Sequence, residues 1–98
     1  MTQELITISP IDGREVVRRP YASEAQVAQA LADAQAAQGA WRALGIEQRG
    51  RILSDAVTRF VAGKAEIARA ITIQMGRPLR YTPGEVDGFE ARARHMIG

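Results

Sequence analysis

The chain has 98 residues, with 13 basic and 11 acidic side chains and a formal net charge of only +2, which allows one small domain at most. It contains no cysteine, so disulfides, thiolate metal sites and a thiol nucleophile are excluded from these residues. No apolar run approaches the roughly 20 residues that span a bilayer, and the arginines are scattered among acids rather than forming a basic stripe. We therefore expect a cytoplasmic protein that binds neither membranes nor nucleic acid.

The first predicted element is a β-hairpin over about residues 5–19. Two short runs rich in β-branched residues are separated by a segment that contains Pro10, Asp12 and Gly13. Proline fixes φ, aspartate hydrogen-bonds the nearby backbone and glycine accepts positive φ, which together are typical of a turn. Two strands alone are marginally stable in water, so we expect the hairpin to dock on other protein.

The first predicted helix covers about residues 24–38. Ser23 followed by Gln26 matches a capping box at its start, and Gly39 is a natural stop. Apolar residues inside it recur with the 3.6-residue period of a helix. Trp41 is then expected in the connector, where it covers the ends of two helices. This structural role is favoured over stacking on a ligand.

Two further helices are predicted over about residues 47–62 and 64–75. The first carries the strongest apolar stripe of the chain, and Gly63 ends or bends it. Gly76 is expected as the left-handed residue that closes the second of these helices, and Pro78 prevents it from continuing.

The last predicted helix covers about residues 83–97. Thr82 is expected as its N-cap, with Pro83 in the first turn and Glu85 completing a capping box. With the hairpin, this gives a mainly α fold with an N-terminal β-hairpin.

No complete catalytic set is present in the sequence. His95 is the single histidine, and a zinc site cannot be built from it without cysteine. Glu85 and Asp87 are two residues apart on a helix and point to different faces, so they do not form an acid–base pair. No glycine-rich phosphate loop follows a strand. We therefore predict no catalytic, cofactor-binding or metal-binding residue in this chain.

Three motifs in order resemble the N-terminal part of the aldehyde dehydrogenase superfamily. Residues 9–16 resemble the family's Asn-Pro-x-x-Gly-x-x-Val hairpin, with serine in place of asparagine. Residues 40–42 resemble its Ala-Trp-Arg, and residues 72–79 its Thr-Leu-Glu-Met-Gly-Lys-Pro-Leu. The resemblance covers roughly residues 8–98 and implies the N-terminal portion of the α/β aldehyde dehydrogenase fold.

The resemblance implies a parent enzyme that oxidises an aldehyde to a carboxylic acid with NAD or NADP. In relatives a cysteine attacks the carbonyl, an asparagine helps to stabilise the oxyanion and a glutamate activates water, and all three lie outside the segment that residues 8–98 match. We therefore expect no catalysis and no cofactor binding by this chain alone. The implied partner is the remainder of the aldehyde dehydrogenase chain, which would pack against residues 1–98 through its cofactor-binding domain, in a parent that is a homo-oligomer.

Two finer roles also follow from the resemblance. Val86, Phe89 and Ala93 would face the substrate entrance, although burial against neighbouring helices explains them equally well. Some relatives hold a monovalent cation with a backbone carbonyl, here that of Ile8, and an acid at the position of Gln74. Glutamine lacks the charge of the acid, which weakens a cation site here.

An alternative of another class remains open at this point. The alanine-rich apolar stripes would suit a stand-alone small helical protein–protein interaction module. The two hypotheses differ in whether the exposed faces belong to a longer enzyme or to an independent domain.

Overall fold

The computed structural model describes residues 3–98 as a β-hairpin followed by four helices. The elements are β1 (Glu4–Ile8), β2 (Glu15–Pro20), α1 (Glu24–Ala43), α2 (Ile46–Ala62), α3 (Lys64–Met75) and α4 (Thr82–Ile97). The mainly helical architecture with an N-terminal hairpin is thus as predicted. The hairpin as a whole and the helices α2, α3 and α4 begin and end within one residue of the predicted ranges.

The hairpin is an antiparallel pair whose turn is held by its own backbone. The Ser9 amide donates to the Arg14 carbonyl at 2.8 Å, and the Gly13 amide donates to the Ser9 carbonyl at 2.9 Å. The Asp12 carboxylate accepts from the Arg14 amide, and Gly13 takes a φ of 78°. A register shift between Thr7 and Ile8 marks a β-bulge, which bends the ribbon.

Helix α1 begins as predicted but ends later. The Ser23 hydroxyl accepts from the Gln26 amide and the Gln26 side chain accepts from the Ser23 amide, so the capping box is confirmed. The predicted stop at Gly39 is wrong, because the helix continues to Ala43 and includes Trp41. Nine of its twenty residues are alanine, the best helix former, and they outweigh the cost of about 1 kcal/mol for one glycine.

Two glycines delimit α3 as predicted. Gly63 separates α2 from α3, and its amide donates to the Phe60 carbonyl. Gly76 closes α3 in the left-handed conformation, with a φ of 81°, and its amide donates to the Thr72 carbonyl. This left-handed cap satisfies a carbonyl that the helix end would otherwise leave unpaired.

The predicted capping box at the start of α4 is wrong. The N-cap residue is Tyr81, which makes no side-chain capping bond, and Thr82 is already helical. The Thr82 hydroxyl is fully buried; it donates to the Leu79 carbonyl and pairs with the Thr72 hydroxyl at 3.1 Å. Packing against α3 therefore takes the hydroxyl away from the capping position.

The last helix is fixed against both α2 and α3. The Arg94 guanidinium donates to the Ser54 and Thr58 hydroxyls of α2, each at 3.1 Å, and pairs with Glu90 on its own helix. At the other end of α4, the Lys64 ammonium of α3 lies 2.6 Å from the Asp87 carboxylate. Exposed pairs of this kind contribute about 0–1 kcal/mol each, so they orient α4 more than they stabilise it.

The described chain is a thin plate with very little interior. Its extents are 49 × 40 × 16 Å and its radius of gyration is 17.6 Å, whereas a compact chain of this length has a radius of about 13 Å. Only Val57, Ala68 and Val86 form a buried apolar core within residues 3–98. Every residue of α1 from Glu24 to Ala40 is exposed, including the apolar residues Val27 and Leu31.

Candidate functional site

The three residues assigned to a substrate entrance lie on one face of α4, and that face is turned towards α2 and α3. Val86 is 2% exposed and borders a small cavity of about 230 Å³ between the helices. Burial of a side chain of this size stabilises the folded state by roughly 1.5–3 kcal/mol, so the main contribution of Val86 is to packing. Its role at a substrate entrance stays a prediction.

Phe89 and Ala93 border an apolar groove between α2 and α4. The Phe89 ring packs on the Phe60 ring with centroids 4.6 Å apart at 54°, a tilted geometry that aromatic pairs favour. Phe89 is nevertheless 43% exposed. The groove has a volume of about 440 Å³ and is lined by Leu53, Ala56, Val57, Phe60, Phe89, Ala93, Met96 and Ile97. The side chains that line this groove expose almost only carbon atoms, so a ligand would bind in it through apolar contacts.

A second groove lies between α4 and the segment that follows α3, and the sequence reasoning missed it. It has a volume of about 540 Å³ and is lined by Arg77, Tyr81, Gly84, Glu85, Gly88, Phe89 and Arg92. The spacing of Gly84, Gly88 and Arg92 could have indicated this groove, because it places two residues without side chains and one cation on the same helix face.

The two residues proposed for a monovalent cation lie near a contact between the hairpin and α3. Ile8 ends β1, and Gln74 is half-buried in the last turn of α3. Between these ends, Pro10 packs so closely on Gly76 that a Cβ on that glycine would come within 2.8 Å of the proline ring. Within residues 3–98, no group of three acidic or histidine side chains is placed to hold a metal ion. Ile8 and Gln74 therefore remain a hypothesis for a site with backbone and amide oxygens.

The residues present do not fit a dinucleotide. Among residues 3–98 the only sheet is the two-stranded hairpin, and the turn between β2 and α1 contains no glycine. A nucleotide cradle needs a strand, a glycine-rich turn and a helix N-terminus in succession. In the same part of the chain, no helix is both long enough and apolar enough to cross a bilayer.

The family is settled by comparison of the whole sequence. A family model described as "Aldehyde dehydrogenase family" matches residues 1–98. The chain belongs to the aldehyde dehydrogenase family. The predicted resemblance is therefore confirmed, and the chain derives from an oxidoreductase family.

Three relatives of this aldehyde dehydrogenase chain illustrate the range of names among its matches. The N-succinylglutamate 5-semialdehyde dehydrogenase of Chromobacterium violaceum is 36% identical over 78 residues, which is 80% of this chain and 16% of the relative. A betaine aldehyde dehydrogenase of Cereibacter sphaeroides is 36% identical over 75 residues, 76% of the chain and 16% of the relative. A malonate-semialdehyde dehydrogenase of Listeria monocytogenes is 30% identical over 79 residues, 81% of the chain and 16% of the relative.

The chain thus spans about one sixth of the length of the curated aldehyde dehydrogenases that it matches. The matched part contains no cysteine and no nucleotide cradle. What it does contain is a set of helices with two grooves on α4, one apolar and one lined with arginines.

Proposed function

We propose that this chain is the N-terminal scaffold segment of an NAD(P)-dependent aldehyde dehydrogenase, here called the parent enzyme, which oxidises an aldehyde to a carboxylic acid. The segment would be the N-terminal portion of the α/β aldehyde dehydrogenase fold. The observation that carries the proposal is the match of residues 1–98 to the family by a chain that spans 16% of its relatives' length. NAD or NADP would be held entirely by other residues of the parent enzyme.

The shape of the chain supports a scaffold role. A 20-residue helix whose first 17 residues are all exposed has an apolar surface that water does not favour. A helix with an apolar stripe normally packs that stripe against other protein. We infer that α1 packs against the cofactor-binding domain, and that the hairpin docks on the same body. The parent enzyme would be a homo-oligomer.

Helix α4 would then contribute to the substrate entrance. Val86 anchors it on α3, whereas Phe89 and Ala93 border the open apolar groove. Such a wall can exclude water and guide an aldehyde chain by apolar contact. The reacting thiol, the oxyanion donors and the cofactor would come from other parts of the parent enzyme.

The activity test compares the parent enzyme with residues 1–98 alone. We expect the parent enzyme to form NADH or NADPH, measured by absorbance, when one of the relatives' aldehydes is added. The isolated 98-residue chain should give no signal above buffer, because it has no nucleophile and no nucleotide cradle. Turnover by the isolated chain, or none by the parent enzyme with any aldehyde, would contradict the proposal.

The contact between the hairpin and α3 allows a stability test in the parent enzyme. Gly13 and Gly76 both have positive φ, but only at Gly76 would a Cβ collide with Pro10. We expect Gly13→Ala to cost about 1–2 kcal/mol from the backbone alone and Gly76→Ala to cost more. The thermal unfolding midpoint of each variant provides the measurement.

The collision at Gly76 can be separated from the backbone cost. Adding Pro10→Ala to Gly76→Ala should recover part of the lost midpoint, because the truncated side chain no longer meets the new Cβ. The same addition to Gly13→Ala should recover nothing. Equal midpoints for the two single variants would show that the hairpin does not rest on α3 in the parent enzyme.

A further inference from the structure

The arginine-lined groove on α4 has one guanidinium, that of Arg92, which no carboxylate of the described residues neutralises. Arg77 is engaged, since its Nε lies 3.1 Å from a Glu85 oxygen. Arg80 lies over the Tyr81 ring, 4.8 Å from its centroid. For Arg92, no carboxylate of residues 3–98 lies within the 4.0 Å of an ion pair, and its side chain is exposed at the groove wall.

Space beside this guanidinium is free of protein atoms. The floor of the groove is formed partly by Gly84 and Gly88, and a Cβ on either would meet nothing within 4 Å. The groove volume of about 540 Å³ falls within the range of about 300–1,000 Å³ that small-molecule sites occupy. A ligand of a few carbon atoms can therefore reach the Arg92 guanidinium.

We propose that this groove receives the carboxylate of an acidic aldehyde substrate, with Arg92 as the residue that selects it. The proposal rests on the proposed function, in which α4 lies at the substrate entrance. The planar guanidinium presents paired N–H donors that match the two oxygens of a carboxylate. Tyr81 also lines the groove, and its side chain carries a hydroxyl donor. An aldehyde without the acid group leaves these donors unpaired and gains nothing from them.

The test compares two aldehydes of equal chain length in the parent enzyme. Succinate semialdehyde carries a carboxylate at its far end, and butanal does not. For Arg92→Gln we expect kcat/KM for succinate semialdehyde to fall by about 10- to 100-fold, the value of a charge-assisted hydrogen bond. For butanal it should stay within about twofold. Arg92→Lys should give an intermediate loss, because it keeps the charge but not the paired donors.

The matched control is Arg69→Gln. Arg69 is also an exposed arginine, on α3, but it does not border the groove. We expect this variant to leave the ratio of the two kcat/KM values unchanged. The thermal unfolding midpoint of each variant of the parent enzyme is measured alongside, so that a loss of stability can be separated from a loss of substrate selection.

Three results would overturn the inference, and a fourth would reject the proposed function on which it rests. An equal loss for both aldehydes in Arg92→Gln would show that Arg92 positions α4 rather than binding a carboxylate. A change confined to the KM of NADP would assign the anion to the cofactor phosphate. A parent enzyme that oxidises butanal but not succinate semialdehyde would exclude carboxylate recognition, whereas one that oxidises no aldehyde would reject the proposed function itself.

Discussion

Expressed alone, residues 1–98 should unfold without a cooperative transition and should bind a dye that reports exposed apolar surface. The reason is the small interior of the plate, with only Val57, Ala68 and Val86 as buried apolar residues within the described chain. Ordering each residue costs roughly 1–2 kcal/mol of backbone entropy, and a core this small does not offset that cost for the whole chain. The helices would form locally and lack fixed packing, as in a molten globule.

Circular dichroism provides the measurement. Far-ultraviolet spectra should retain helical signal, since the alanine content of α1 favours helix on its own, while the near-ultraviolet signal of Trp41 should be weak. Heating should give a broad, nearly linear loss. The parent enzyme serves as the control and should melt sharply. A sharp, concentration-independent melt of the isolated chain without dye binding would instead support the stand-alone interaction module.

Replacing Leu31 by aspartate should strongly destabilise the parent enzyme, although Leu31 is 68% exposed in this chain. If α1 is covered by the cofactor-binding domain, the new carboxylate is buried without a partner, which costs several kcal/mol. We expect a loss of about 3 kcal/mol or more, similar to that of Val86→Asp in the existing core. Thermal unfolding midpoints and the yield of folded protein provide the measurements.

The control for Leu31→Asp is Gln35→Asp, one turn further along α1 at another exposed position. It introduces the same charge in place of a polar side chain and should cost much less. In an independent module, Leu31→Asp would be an ordinary surface substitution within about ±0.5 kcal/mol. A midpoint for Leu31→Asp equal to that of the unsubstituted parent enzyme would therefore exclude a covered α1 and favour the module.

Local chemistry was sufficient to predict much of this fold. The turn around Gly13, the capping box at Ser23 and the left-handed cap at Gly76 each depend on a few neighbouring residues, and the structure contains all three. The predicted end of α1 was wrong because the helix-breaking effect of Gly39 was considered without the helix-forming effect of the surrounding alanines. The start of α4 was wrong because Thr82 is drawn into a hydrogen bond with Thr72, a residue of another helix.

The candidate sites were harder to predict, because a groove depends on which helix face its neighbours leave open. Val86, Phe89 and Ala93 were recognisable as one stripe of α4, but periodicity could not tell a packed stripe from a substrate wall. Gly88 and Arg92, on another face of α4, were not assigned to a site, because an arginine on a helix is usually solvated. The significance of Arg92 depends on tertiary structure, since Glu85 pairs with Arg77 and no carboxylate in the described part of the chain lies within ion-pair distance of Arg92.

The 16 Å thickness of the plate is little more than the diameter of one helix with its side chains, about 10–12 Å. Nearly every side chain therefore ends at one of two broad surfaces, and both surfaces can be in contact with other protein at the same time. In the proposed parent enzyme, the small methyl groups of the α1 alanines would set how closely the backbone of the neighbouring domain can approach this helix. Replacing any of these alanines by a larger residue would push the neighbouring domain away from α1. We expect the resulting loss of packing to occur at that interface rather than inside this segment.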